Sequence, residues 1–236
     1  MFEKKIEFIG INKDWVDIHP HPKASKYFIP ESYKKFSSFA NTESLNSSVG
    51  DLHVPTIKKC MPFLDSMTAG YIIPFDQDYI IDPTETDFSI SPASLDSNDF
   101  GFHKVSQLPG EWKETVGDNA GKFHNKWLIK TPPGYSCLFV HPMNRLENRW
   151  KMIEGIVDTD EYMNLINFPF YLKKRDEQFL IEKGTPMMQV IPFKREPWKS
   201  KSGFRLVKES KKTFALFRTS FHNVYRKYWW KKKSFK

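Results

Sequence analysis

At 236 residues the chain has room for one large domain, or for one domain with appendages. Apolar residues make up 39% and aromatic ones 16%, with 21 Phe, so a core built on rings is available. A mean hydropathy of −0.55, with no apolar run near the roughly 18 residues of a membrane span, excludes a transmembrane helix. Lys plus Arg is 36 against 28 Asp plus Glu, a net +8, and the excess is local. From 210 to 236 lie nine basic residues and no acidic one, whereas the rest carries 27 basic against 28 acidic. Two cysteines, Cys60 and Cys137, are too few for a disulfide framework, and with no Cys-x-x-Cys pair they argue against structural zinc. Both are expected to be reduced and buried. The opening residues lack the charged-then-apolar order of a signal peptide, so a soluble protein made in a cytoplasm is expected.

Residues 1–18 alternate well enough for one or two strands, ending near Trp15-Val16-Asp17-Ile18. His19 and His21 alternate with prolines and read as an extended surface loop, without the further ligands a metal needs. Pro30 before Glu31 marks a helix start, because proline is tolerated in the first turn. The Ser- and Asn-rich stretch 37–51 reads as a mobile loop. A short helix is expected around Pro62 to Met67, followed by a hairpin of two apolar strands, 69–75 and 78–81. Residues 76–103 hold Asp76, Asp78, Asp82, Glu85, Asp87, Asp96 and Asp99 but no Lys or Arg. That composition reads as a solvated acidic insertion, suited to neutralising a basic partner or the chain's own tail. Residues 101–121 look loop-like around Leu108-Pro109-Gly110.

From Trp127 to Arg195 the chain is a series of short β-branched or aromatic runs bounded by Pro or Gly: 136–140, 165–168, 179–181 and 187–191. The expected fold is therefore mainly β, a barrel- or sandwich-like core over residues 1–198 with few short helices. His124 and His141 flank the Pro132-Pro133-Gly134 turn and could face one another across paired strands. A cupin-like metal enzyme would need a third His or a Glu beside them, and none can be placed, so no cofactor is expected. Asp158 and Asp160, two apart, share a side if the segment is a strand and could divide acid and base roles; in a turn they would cap backbone amides. Asn144, Arg145 and Arg149 could complete an anion pocket, with His141 and Tyr135 nearby.

Taken in order, Thr68-Ala69-Gly70-Tyr71, Thr131-Pro132-Pro133-Gly134-Tyr135-Ser136, Gly155-Ile156-Val157-Asp158-Thr159-Asp160-Glu161-Tyr162 and Glu182 to Ile191 resemble the motif order of trimeric dUTPases and dCTP deaminases. The resemblance implies a compact β-barrel-like or jelly-roll-like fold, an Asp that orients water (Asp158) and a Tyr that stacks on a base (Tyr162). The chain has Met163-Asn164 where the family has Arg-Gly, and His141-Pro142-Met143-Asn144-Arg145 where it has Arg-Ser-Gly, so groups that hold phosphate are missing. The Pro-Pro-Gly-Tyr-Ser turn, the His-Pro-x-Asn after it and Gly-Ile-Val-Asp-Thr-Asp also resemble an uncharacterised domain family of marine T4-like phages and some bacteria. That likeness implies a viral origin, in the host cytoplasm or the virion, and names no activity.

In the tail, 199–236, Phe214, Phe217, Phe221, Val224 or Tyr225, and Tyr228 recur at intervals of three and four, one face of an amphipathic helix. Arg218, Arg226, Lys227, Trp229, Trp230, Lys231, Lys232 and Lys233 supply cations and rings for a partner. A virion or host protein comes first, nucleic acid next and a membrane surface last. The leading expectation is a non-catalytic phage protein that binds a macromolecule through this tail, with oligomerisation open. The alternative is a hydrolase acting on a nucleotide or other small anion through Asp158, which requires Asp158, Asp160 and a cation such as Arg145 or Arg149 to converge on a pocket.

Overall fold

Asn12 stops the first strand early. Its side chain accepts from the Trp15 amide at 3.1 Å, so strand β1 (Glu7–Gly10) gives way to a capped helix α1 (Lys13–Ile18) where a second strand was expected. The computed structural model describes residues 4–40, 54–93, 99–203, 208–219 and 224–236; most of the Ser- and Asn-rich stretch lies outside them. After α1 come β2 (Lys23–Ala24), α2 (Glu31–Lys35), α3 (Met61–Thr68), β3 (Tyr71–Pro74), β4 (Tyr79–Pro83), β5 (Phe88–Pro92) and β6 (Phe100–Lys104). Then follow α4 (Lys113–Val116), β7 (Asn119–Phe123), β8 (Trp127–Lys130), β9 (Tyr135–Val140), β10 (Trp150–Met152), β11 (Gly155–Val157) and β12 (Phe168–Leu172). The chain closes with β13 (Phe179–Ile181), β14 (Pro186–Lys194), α5 (Lys208–Thr219) and α6 (Val224–Tyr228). No helix among the described residues is long and apolar enough to cross a membrane.

The fold is mainly β, as the short bounded runs imply. The strands form antiparallel sheets ordered β11-β9-β14-β3-β2, β10-β12-β7-β6, β13-β4-β5 and β1-β8. Rings fill the space between them. Phe123 stacks on Phe170 at 4.6 Å and meets Phe75 edge-on at 4.9 Å, while Trp150 lies parallel to Phe179 at 5.8 Å. Strand β14 is central, paired on one side with β3 and on the other with β9, and its run Met187-Met188-Gln189-Val190 is buried throughout.

Several local expectations change at this level. Strands β3 and β4 do not form a hairpin: β3 pairs with β14 and β2, and β4 with β5 and β13. The switch falls at Phe75, whose amide bonds the Thr185 carbonyl at 2.8 Å instead of turning back. The acidic stretch is not an insertion at its described positions, because Tyr79, Ile81, Phe88 and Ile90 alternate into the core of a sheet. Residues 101–121 contain β6 and the start of β7, residues 165–167 precede β12, and Cys60 is exposed while Cys137 is buried. Burial pushes the Cys137 thiol up to about 11, which leaves it unreactive.

Candidate functional site

Asp158 and Asp160 sit in a tight turn after β11, where the Glu161 and Tyr162 amides bond the Asp158 carbonyl at 3.0 and 2.8 Å. The cation that meets them is Arg195, just past β14. Its guanidinium grips both Asp160 oxygens, at 2.7 and 2.5 Å, and lies 3.3 Å from Asp158. Asp160 also accepts from the Gly134 amide at 2.7 Å, and its side chain is only 3% exposed. Asp158 accepts from the Ser136 hydroxyl at 2.6 Å but is 61% exposed. Beneath the turn, the Thr131 and Thr159 hydroxyls bond at 2.7 Å. The result is a brace tying the Pro-Pro-Gly turn, β11 and β14 together.

The Arg195 fork, with help from the Gly134 amide, holds the Asp160 carboxyl down at about 2, from an ordinary 3.8. A depressed folded-state value means stability that is full above about 4 and is lost as pH falls through about 2. Wild type is therefore expected to show a falling urea midpoint across that window. Asp160→Asn should be less stable at neutral pH and should flatten the acid limb.

The other residues singled out for an anion pocket point elsewhere. Asn144, at φ 56°, donates to the Ser66 hydroxyl at 2.6 Å. Arg145 donates to the carbonyls of Phe28, Ser25 and Met67 at 3.0, 3.1 and 3.2 Å. Desolvation without a paired carboxylate lowers its guanidinium to about 10. Arg149 pairs with Glu147 at 2.8 Å and covers the Trp150 ring at 4.7 Å. His141 accepts from the Met152 amide at 3.3 Å, and burial lowers it to about 4, so it is neutral at physiological pH. His124 follows β7 beside Gly101 and His141 follows β9, and these strands belong to different sheets rather than pairing. Among the described residues no three His, Cys, Asp or Glu side chains gather as a metal would require. Tyr162 is half exposed, and Tyr135 carries the Lys4 ammonium 4.9 Å above its ring.

The tail docks. Trp230 Nε1 donates to both Asp65 oxygens at 3.1 and 2.9 Å, and Lys233 Nζ meets the same carboxylate at 2.5 Å. Phe235 packs edge-on against Tyr71 at 6.0 Å, and the Tyr71 hydroxyl donates to the Lys236 carbonyl at 3.2 Å. The described positions of the aromatic stripe fall in α5 and α6, and the residues between them, Phe221 included, lie outside the described part, as do the side chains of Phe217 and Arg218. Arg226, Lys227, Lys231 and Lys232 are exposed, and no described carboxylate pairs with them. Trp229 is 39% exposed beside Tyr228.

Two features were not legible in the sequence. One is a polar network under β1 and α1: Asp99, 5% exposed, is bonded by Gln77 at 2.6 Å and paired with Lys126, while Tyr79 donates to Asp76 at 2.9 Å. Burial raises the Asp76 carboxyl. The other is a set of clefts along β1, lined by Lys4, Lys5, Tyr71, Tyr135 and Phe235. The acidic composition of 76–103 hinted at the first; the second is formed by residues more than 200 positions apart in the chain.

The chain matches no protein-family model and no curated protein sequence. Among solved structures it is similar to a mutant dUTPase of phage phi11 of S. aureus, described for the coordination of a structural Mg(II) ion. The identity is 11% over 58% of this chain and 84% of that one, with a TM-score of 0.33. It is also similar to a mutant Staphylococcus bacteriophage 80alpha dUTPase with dUpNHpp, at 14% identity, 60% and 80% coverage and a TM-score of 0.34. Likeness that shallow carries no argument. The class is defined by the chain's own strands: an antiparallel, mainly β protein with a docked basic C-terminal segment.

Proposed function

We propose that the chain is a non-catalytic binding protein that holds a negatively charged macromolecule against its C-terminal segment. One observation carries the reading. Trp230 and Lys233 anchor the segment on Asp65, while Arg226, Lys227, Lys231 and Lys232 of the same segment stay exposed and unneutralised among the described residues. Fixed cations beside half-exposed rings recognise a polyanion at little cost in ordering entropy. The engagement of Asp160 with Arg195 and Gly134 supports a bracing role for that turn rather than catalysis. The setting proposed from the sequence motifs is the virion or an infection-accessory role in the host cytoplasm, with an acidic protein face or a nucleic acid as the partner.

Heparin chromatography tests this directly. Reversing Arg226, Lys227, Lys231 and Lys232 to Glu should move elution to markedly lower salt with no change in melting temperature. Unchanged elution would remove the reading. The hydrolase alternative rests on the exposed Asp158 beside Arg195. It becomes the better account if wild type turns over a nucleotide and Asp158→Asn, still folded, does not.

A further inference from the structure

Three clefts lie side by side around the start of β1. The first, about 510 Å³, runs past Phe8, His21 and Trp127. The second, about 580 Å³, is walled by Lys4, Tyr71 and Lys236, and the third, about 260 Å³, by Tyr135, Pro132 and Phe235. The second and third share Lys4, Lys5, Ile6, Tyr71 and Ser234 and so form one trough, with the first beside it at Lys5 and Ile6. Its rings sit in sequence: Phe8 meets Tyr71 at 5.5 Å, Tyr71 meets Phe235 at 6.0 Å, and Lys4 lies over Tyr135. Glu7 also lines the first cleft and pairs with Lys5 at 3.1 Å, and Glu196 lies near Lys4, so Lys4 and Lys236 supply the remaining positive charge without a close ion pair among the described residues.

We infer, building on the reading above, that the polyanion is a single-stranded nucleic acid and that it lies in this trough. The two ring contacts are edge-on, and a ligand matching such aromatic rings interleaved with ammonium groups must itself combine flat rings and negative charges along a line. Single-stranded nucleic acid does so, stacking bases on the aromatic rings while phosphates meet the lysines. A duplex hides its base faces, and an acidic peptide has no use for the rings.

One wall belongs to the tail. Ser234, Phe235 and Lys236 close the trough beside Tyr71, and just before them Trp230 and Lys233 are fastened to Asp65. This separates a seated strand from simple charge attraction. Removing the negative charge of Asp65 should tighten a purely electrostatic complex. If the strand lies in the trough, the same change should weaken binding, because it frees the wall.

The experiment is fluorescence anisotropy of a labelled oligodeoxythymidine, and of the same strand annealed to its complement, across a salt series with the full chain. Wild type should bind the single strand and discriminate against the duplex. Phe235→Ala should lose roughly ten-fold in affinity with an unchanged salt slope, since it removes stacking rather than charge. Asp65→Asn should also lose affinity, with melting curves confirming that both variants fold. The inference is overturned if Asp65→Asn tightens binding, if Phe235→Ala binds as wild type, or if duplex binds equally well. If no single strand binds while heparin retention still depends on the tail cations, the trough assignment fails alone and an acidic protein becomes the partner.

Discussion

Gln189→Leu is expected to destabilise the protein by roughly 2 kcal/mol or more, because it leaves the Ser66 carbonyl and the Met143 amide without partners at about 1–3 kcal/mol each, while the Ala69 carbonyl keeps the Ser25 hydroxyl. Gln189 lies on β14 with no exposure at all. Its amide nitrogen donates to the carbonyls of Ser66 and Ala69 at 2.8 and 2.7 Å, and its oxygen accepts from the Met143 amide at 2.8 Å. Leu has nearly the same volume and suits the apolar run around it, so the loss isolates hydrogen bonding from packing. Urea unfolding should show a lower midpoint with an unchanged slope. A change below about 1 kcal/mol would mean that water or relaxation re-satisfies those groups. The carbonyls involved end α3, which carries Asp65 and leads into Tyr71. The variant should therefore also loosen the tail and lower polyanion affinity.

Gly70→Ala is expected to cost roughly 3 kcal/mol, from two sources that a second glycine separates. Gly70 has φ 65°, a left-handed conformation that costs an L-residue roughly 1–2 kcal/mol. In addition, a Cβ there would lie 2.0 Å from the Val190 carbonyl oxygen, so β3 and β14 must move apart. Such overpacking costs roughly 1–3 kcal/mol. Gly134 has a similar φ of 82°, but nothing lies within 4 Å of its added Cβ. Gly134→Ala should thus show the conformational part alone. Equal losses at the two sites in thermal or urea unfolding would refute the clash at Val190.

The residues that brace the fold show why reading the site from the sequence went only part of the way. Asn144 and Arg145 carry the chemistry of an anion pocket, and nothing adjacent in the chain reveals that they are spent on a hydroxyl and on carbonyls about 80 to 120 positions away. Asp160 has the type and spacing of a catalytic carboxylate, yet it is met by an arginine 35 residues on. Arg195 carries no local signal of its own. Gln189, in the midst of an apolar run, was the one polar residue whose position could have been questioned.

By itself, the sequence determined the mainly β class, the helix at Met61–Thr68 and the concentration of positive charge at one end. These follow from propensity, periodicity and counting, which act over a few consecutive residues. The tertiary structure decided that β3 joins β14 rather than β4, that the tail is fastened to Asp65 across 165 residues, and that N- and C-terminal lysines line one trough. Those outcomes depend on which buried faces pair, and that is settled by packing the whole core at once rather than by any local stretch.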